Sequence, residues 1–215
     1  LTDLPNIQRK IMNSCAKLGK RSIVATHLLE SMIENPTPTR AEVTDVANAV
    51  YEGADAIMLS GETSIGRYPV ECVKFLKSIS KRTEKFKTLE YEKELITNSD
   101  WESIAVAARD LSESINADGI IAVTRTGSTA GYISNAKPKD IPIYTFTNNI
   151  NTLNQLSLVG SVIPFYLKRL NNHKKTLEHV RDVLKPLHRK KKLKFVMVSG
   201  IFSEKHSEAI QIINF

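Results

Sequence analysis

Apolar positions fall along this chain in two rhythms. Ser22 to Thr26 (SIVAT) and Ala54 to Leu59 (ADAIML) are short apolar runs, the pattern of buried strands. Around them, apolar residues return every three or four positions, as on a helix with one buried face. Leu4, Ile7, Ile11, Cys15 and Leu18 predict a first helix. Between the two runs, Val43, Val46, Ala47 and Val50 predict a second. Thr39 and Glu42 stand at the spacing of a capping box before it, and Gly53 suits its C-terminal cap. Strand, helix and strand within about 40 residues make a βαβ unit, so the two strands are expected to be parallel. A further helix opens at Pro69, with Cys72, Phe75, Leu76 and Ile79 as its stripe.

The second half repeats the alternation. Ile104, Ala107, Ala108 and Leu111 share one helical face, and GIIAVT follows as a strand. A loop and helix (RTGSTAGYISNAKP), a strand (IPIYTFT), a short helix (NTLNQLSLV) and another strand (SVIPFYL) come next. Leu177, Val180, Leu184 and Leu187 predict an inward helical face, and KFVMVSG and EAIQIINF close the chain as strands. The charge-rich stretch Lys77–Glu94 suggests a boundary near 87, which gives an α/β domain over 88–215.

Composition adds limits. Hydrophobic residues are 41% and charged residues 25%, the balance of an ordinary globular protein rather than a disordered or fibrous one. No apolar run is long enough to span a bilayer, so no membrane partner is expected. The two cysteines, Cys15 and Cys72, read as free thiols of a reducing compartment. The net charge of +7 comes from one place: residues 168–194 hold eleven Lys and Arg against two acids, a balance of +9, which leaves −2 elsewhere. The run HRKKKLK has no interleaved aromatics, so it reads as a solvated face rather than a nucleic-acid patch. No histidine or cysteine spacing indicates a metal site.

Two stretches could carry chemistry. Thr26 ends one predicted strand and Ser60 the next, and parallel pairing would put both hydroxyls on one rim. Ser60 begins SGET, which also brings Glu62 there. The connection after Thr26 (HLLESMIENPTP) is long for a βα loop, and such loops carry the sites of these folds. Capping of backbone groups is the plainer alternative. The second stretch is Thr124, Arg125, Thr126, Gly127, Ser128 and Thr129, where hydroxyls crowd a glycine between a strand and a helix. Such a loop can cradle a phosphate on hydroxyls and helix-start amides, although it is not a Walker A loop. A simple capped turn is again the alternative.

The run ATHLLESMIENPTPTRAEVTDVANAVYEGADAIMLSGETSIGRYPVECV closely resembles the seventh and eighth strand units of the pyruvate kinase barrel. Residues 88–215 resemble the family's C-terminal domain in register. The resemblance implies a partial (β/α)8 barrel over 1–87, consisting of its last two βα units, followed by a three-layer α/β domain. It implies phosphoryl transfer from phosphoenolpyruvate to ADP, giving pyruvate and ATP, with Mg2+ and K+. It places the Thr26 hydroxyl beside the substrate, helping to protonate the enolate, with Ser60 and Glu62 beneath it. It makes 124–129 the phosphate site of a sugar-phosphate effector. Cytoplasmic location and a homotetramer are the family's pattern.

The chain departs from the pattern at His27, where the family usually has Gln, and at Ile65, where a lysine is frequent. GIFSEKHSEAI is unlike the usual effector loop. The family's catalytic lysine and its Mg2+ and K+ ligands precede the matched segment, so the chain is expected to be a C-terminal portion with no turnover alone. Two other functions remain: a non-catalytic module binding a phosphorylated metabolite through 124–129, and nucleic-acid binding through 168–194.

Overall fold

The computed structural model describes residues 2–168, 173–190, 192–199 and 209–215. The chain divides into two compact units, Leu1–Leu95 and Ile96–Phe215.

The first unit opens with α1 (Leu4–Lys17), followed by β1 (Ile23–Ala25), α2 (Arg40–Tyr51), β2 (Ala56–Met58), a single helical turn α3 (Gly61–Ser64) and α4 (Pro69–Thr83). β1 and β2 pair in parallel, with Ile23 opposite Ala56 and Ala25 opposite Met58. The reciprocal capping box forms: the Thr39 hydroxyl accepts the Glu42 amide, and the Glu42 carboxylate accepts the Thr39 amide. Gly53 takes the left-handed φ of 77° that ends α2, a conformation costly for a side chain. Leu28, Leu29, Met32, Val46 and Cys72 form the core, with Val24, Ile57, Leu59, Phe75, Leu76 and Ile79 packed against them. Three of the five core residues come from the connection after β1, so that connection is an anchored part of the fold. It includes a 3-10 turn at Glu30–Ile33.

The expected inner face of α1 is corrected. Met12 and Ala16 are its buried residues, while Leu4, Ile7, Ile11 and Leu18 are all at least half exposed. On this face Gln8 and Arg9 both reach the buried Glu52, and Lys17 pairs with Glu94.

The second unit is a five-stranded sheet between two helical layers. It comprises α5 (Asp100–Ser114), β3 (Gly119–Val123), α6 (Ser128–Asn135), β4 (Ile143–Thr147), α7 (Ile150–Leu156), β5 (Val162–Tyr166), α8 (His173–Leu184), β6 (Lys194–Ser199) and β7 (Ala209–Asn214). The strand order is β5-β4-β3-β6-β7, parallel except for β7. Every residue of β3 and β4 is buried, as central parallel strands covered on both faces must be. Alternate residues serve opposite layers. Ile120, Ala122, Ile143, Val196 and Val198 pack with Ala105, Ala108, Ala130, Ile133 and Leu156 of α5, α6 and α7. Ile121, Val123, Tyr144, Phe146, Phe195 and Met197 pack with Val180 and Leu184 of α8.

One expected face largely holds and another shifts. In α5 Ala108 is buried and Ile104 and Leu111 pack against the core as expected, while Ala107 is exposed and Ala105 and Ser112 are buried beside them. The buried Ser112 hydroxyl donates to the Ala108 carbonyl at 2.6 Å, which makes a polar residue acceptable on that face. Leu187 is 56% exposed instead of facing inward. Pro186 has no N–H to continue α8, so the helix stops at Leu184 and a 3-10 turn over Lys185–Leu187 rotates Leu187 off the stripe.

These placements predict opposite outcomes for two substitutions. Phe146 is fully buried and stacks on Phe165 with ring centroids 5.2 Å apart. Phe146→Ala is expected to cost about 3–5 kcal/mol in urea unfolding, whereas Leu187→Ala stays within about 0.5 kcal/mol of the parent.

Candidate functional site

The first site is the rim where β1 and β2 end. Parallel pairing aligns their carboxyl ends, so Thr26 and Ser60 each begin a loop on that rim. Thr26 and His27 both adopt positive φ, 70° and 54°. Threonine is β-branched and rarely held there, so the turn stores backbone strain. The Thr26 side chain is exposed, and its hydroxyl donates to the Ala25 carbonyl at 2.6 Å. His27 Nδ1 lies 2.9 Å from Glu30 Oε2, an exposed pair one helical step along the same loop.

Glu62 connects the two loops. It is 2% exposed, on the single turn of α3. One carboxylate oxygen accepts the Leu29 amide at 3.1 Å and the other the Ser60 amide at 2.8 Å. Burial opposes its ionisation, but amide hydrogen bonds from its own backbone, Ser60 and Leu29, with the charge of His27 nearby, hold its carboxyl below the usual glutamate range. Thus Thr26, Ser60 and Glu62 share one rim, with Glu62 holding backbone rather than the Thr26 hydroxyl. Among the described residues no hydrogen bond joins Thr26 to Ser60 or Glu62. Ile65 follows α3 and is largely exposed.

Sequence reasoning assigned Glu42 to the α2 cap alone. Its carboxylate also accepts the Ser31 amide and hydroxyl, both at 2.6 Å, so it anchors the loop that carries His27 and Leu28. Burial again opposes ionisation, and the Ser31 and Thr39 hydrogen bonds outweigh it to lower the carboxyl pKa. Capping-box spacing signals the Thr39 bond. Nothing local signals Ser31, eleven residues earlier.

The second site lies at the carboxyl end of β3. Beyond β3 the chain adds β4 and β5 on one side and then crosses to lay β6 on the other. The carboxyl ends of β3 and β6 therefore flank the topological switch point, where open α/β sheets bind ligands. The loop 124–127 leaves β3 there. Thr124 is buried, and its hydroxyl accepts the Gly127 amide at 2.9 Å, which makes it an internal brace. Gly127 caps α6 at φ 88°, and a Cβ there would press on Thr152 and Leu156. The Thr126 and Ser128 hydroxyls sit 2.9 Å apart, exposed at the start of α6, with Arg125 also exposed and Thr129 half-buried. The Thr152 hydroxyl, from α7, donates to the Arg125 carbonyl at 3.0 Å and steadies the loop. The sequence GIFSEKHSEAI falls mostly at 200–208, outside the described residues.

Among the described residues no group of three or more His, Cys, Asp or Glu is placed to hold a metal ion. No helix there is long and apolar enough to cross a membrane.

Comparison with known proteins covers both units. A family model for the pyruvate kinase barrel domain matches residues 1–73, and one for the pyruvate kinase alpha/beta domain matches residues 102–213. A pyruvate kinase of Thermotoga maritima is 42% identical over 182 residues, which cover 83% of this chain and 38% of the relative. Pyruvate kinase 2 of Synechocystis is 38% identical over 186 residues, 86% of this chain and 31% of the relative. The crystal structure of a pyruvate kinase from Cryptosporidium parvum superposes with a TM-score of 0.89 at 27% identity, over 99% of this chain and 43% of that one. The chain thus spans well under half the length of these relatives. Its first unit is part of a barrel domain and its second an α/β domain. Two matched domains in the same order, at these identities, place the chain in the pyruvate kinase family.

Proposed function

We propose that this chain supplies the last two βα units and the α/β domain of a pyruvate kinase, an enzyme transferring the phosphoryl group of phosphoenolpyruvate to ADP, with pyruvate and ATP as products. The observation that carries this reading is the rim of β1 and β2, where Thr26 heads a strained turn whose loop is tied to Ser60 by the buried Glu62. Thr26 meets the substrate side, and its exposed hydroxyl relays a proton to the enolate carbon while taking one from solvent as pyruvate forms. Glu62 and Ser60 hold the two loops in register so that this hydroxyl keeps one position. Positioning of this kind matters because phosphoryl transfer depends on placement and charge more than on covalent chemistry.

The family's use of Mg2+ and K+ extends to this proposal only for the complete enzyme. Among the described residues no group of three or more His, Cys, Asp or Glu is placed to hold either ion. Homotetramer assembly and a cytoplasmic location are proposed on the same family basis, although the relatives also include isozymes from Ricinus communis described as chloroplastic.

A second role is proposed for Thr124, Arg125, Thr126, Gly127, Ser128 and Thr129. The loop's position at the switch point favours capture of the phosphate of a sugar-phosphate effector. Thr126, Ser128, Thr129 and Arg125 face the ligand, and Thr124 holds the turn.

Four outcomes are expected. The isolated chain forms no pyruvate. Grafted in place of the matching part of the Thermotoga maritima relative, it supports turnover, and Thr26→Ala in that chimera lowers kcat by about 10²–10⁴-fold. A folded chimera without pyruvate formation overturns the reading. Glu62→Gln destabilises the first unit by about 2 kcal/mol at neutral pH, the scale of charge-assisted hydrogen bonds. Because the folded-state pKa of Glu62 is lowered, its contribution is complete above the usual glutamate range and disappears as pH falls through the folded value. Urea midpoints of parent and variant should therefore converge in acid. Finally, calorimetry with fructose and glucose phosphates should give heat that Thr126→Ala and Ser128→Ala abolish. Heat unchanged in both variants removes the effector site.

A further inference from the structure

The amino-terminal rim of the second unit carries charge that phosphoryl transfer does not use. Six of the ten residues 185–194 are Lys or Arg, and none is acidic. Basic runs of this kind are commonly solvated tails, but this one is pinned to the fold at four points. His188 meets the buried Tyr144 hydroxyl at 3.1 Å and stands edge-on to Tyr144 and Phe195. Lys190 pairs with one oxygen of Asp118, and the other oxygen accepts the Lys194 amide at 2.9 Å. Leu193 is buried and exchanges both of its backbone hydrogen bonds with Phe215. Burial opposes ionisation of Asp118, yet the Lys190 and Lys194 hydrogen bonds prevail and keep its carboxyl acidic.

Arg189 and Lys192, between these pins, and Lys185, just before them, are exposed, and none of the three forms an ion pair among the described residues. Cations presented on a fixed backbone lose less freedom on meeting an anion than cations on a loose tail. One exposed apolar side chain lies between Lys185 and Arg189 in the sequence. Leu187 is 56% exposed because Pro186 turns the chain out of α8.

This composition selects the partner. Readers of single-stranded nucleic acid set aromatic rings among their cations so that bases can stack. Here the neighbouring aromatics, Tyr144 and Phe195, are buried in the core, and His188 is already engaged with both. Exposed lysine and arginine flanking an exposed leucine in the sequence suit the surface of an acidic bilayer, where headgroups attract the cations and the alkyl group leaves water at the acyl boundary. Against the sequence expectation of no membrane partner, we propose that this basic strap docks on anionic lipid bilayers, with Lys185, Arg189 and Lys192 on the headgroups and Leu187 in the interface.

The test is sedimentation of the 215-residue chain with phosphatidylcholine vesicles, with and without one third phosphatidylserine, at low and high salt. Binding to the acidic vesicles alone, released by high salt, is expected. Combined Lys185→Glu, Arg189→Glu and Lys192→Glu should weaken it on the order of 100-fold or more, since each cation contributes roughly fivefold. Leu187→Ser should weaken it roughly tenfold. Circular dichroism checks that these surface variants fold. The proposal is overturned by equal binding to neutral vesicles, by no binding to acidic ones, or by either variant sedimenting like the parent. Retardation of a single-stranded oligonucleotide without sedimentation on acidic vesicles also overturns it, in favour of nucleic acid.

Discussion

Parallel pairing of strands is the constraint from which both candidate sites follow. A parallel neighbour can be reached only by a crossover, so successive strands leave the sheet at the same end and their outgoing loops gather there. In the first unit this places the turn at Thr26 beside the turn at Ser60. In the second it places the turn after β3 next to the end of β6, where the order of strands reverses. Chemistry at either rim is built from segments far apart in sequence, and what varies is how each loop is held.

The two rims use different devices. At β1 and β2 the loops are fastened by carboxylates that accept backbone amides: Glu62 joins Leu29 to Ser60, and Glu42 joins Ser31 to Thr39. Each anion is stabilised by donors that would otherwise be unsatisfied, and each gives the loop a fixed path without regular secondary structure. Apolar anchors complete the hold, since Leu28, Leu29 and Met32 are buried beneath the same connection. At β3 the fastening is neutral. Thr124 and Thr152 hydroxyls bond to the backbone of the turn, and Gly127 lets it close against α7. The exposed hydroxyls of Thr126 and Ser128 stay at the surface, where an incoming anion can reach them.

The strap before β6 follows the same logic at the opposite end of the sheet. Asp118, at the entrance to β3, orders a basic segment through its two oxygens as Glu62 orders two loops. In both places one carboxylate converts an irregular stretch into a surface of definite shape. The consequence differs with what the held segments carry: the loops at Glu62 bear the Thr26 and Ser60 hydroxyls, and the strap at Asp118 bears cations and an exposed leucine.

The sequence by itself determined the elements and their order. Short apolar runs and period-3.6 patterning identified the strands and helices, the Thr39–Glu42 spacing fixed the start of α2, and Gly53 its end, because these signals act between residues only a few positions apart. The long match at 25–73 placed Thr26, Ser60 and Glu62 on one rim. Tertiary structure decided what local signals do not carry. Helix phase at α1 follows whichever face meets a neighbour, so Met12 and Ala16 are buried where the apolar stripe pointed elsewhere, and in α5 Ala105 rather than Ala107 completes the buried face. Leu187 left the core because a proline two residues past the end of α8 changed the local geometry. The partners of Glu62 and Glu42 lie 33 and 11 residues earlier, at Leu29 and Ser31. Only folding brings those amides within hydrogen-bond reach.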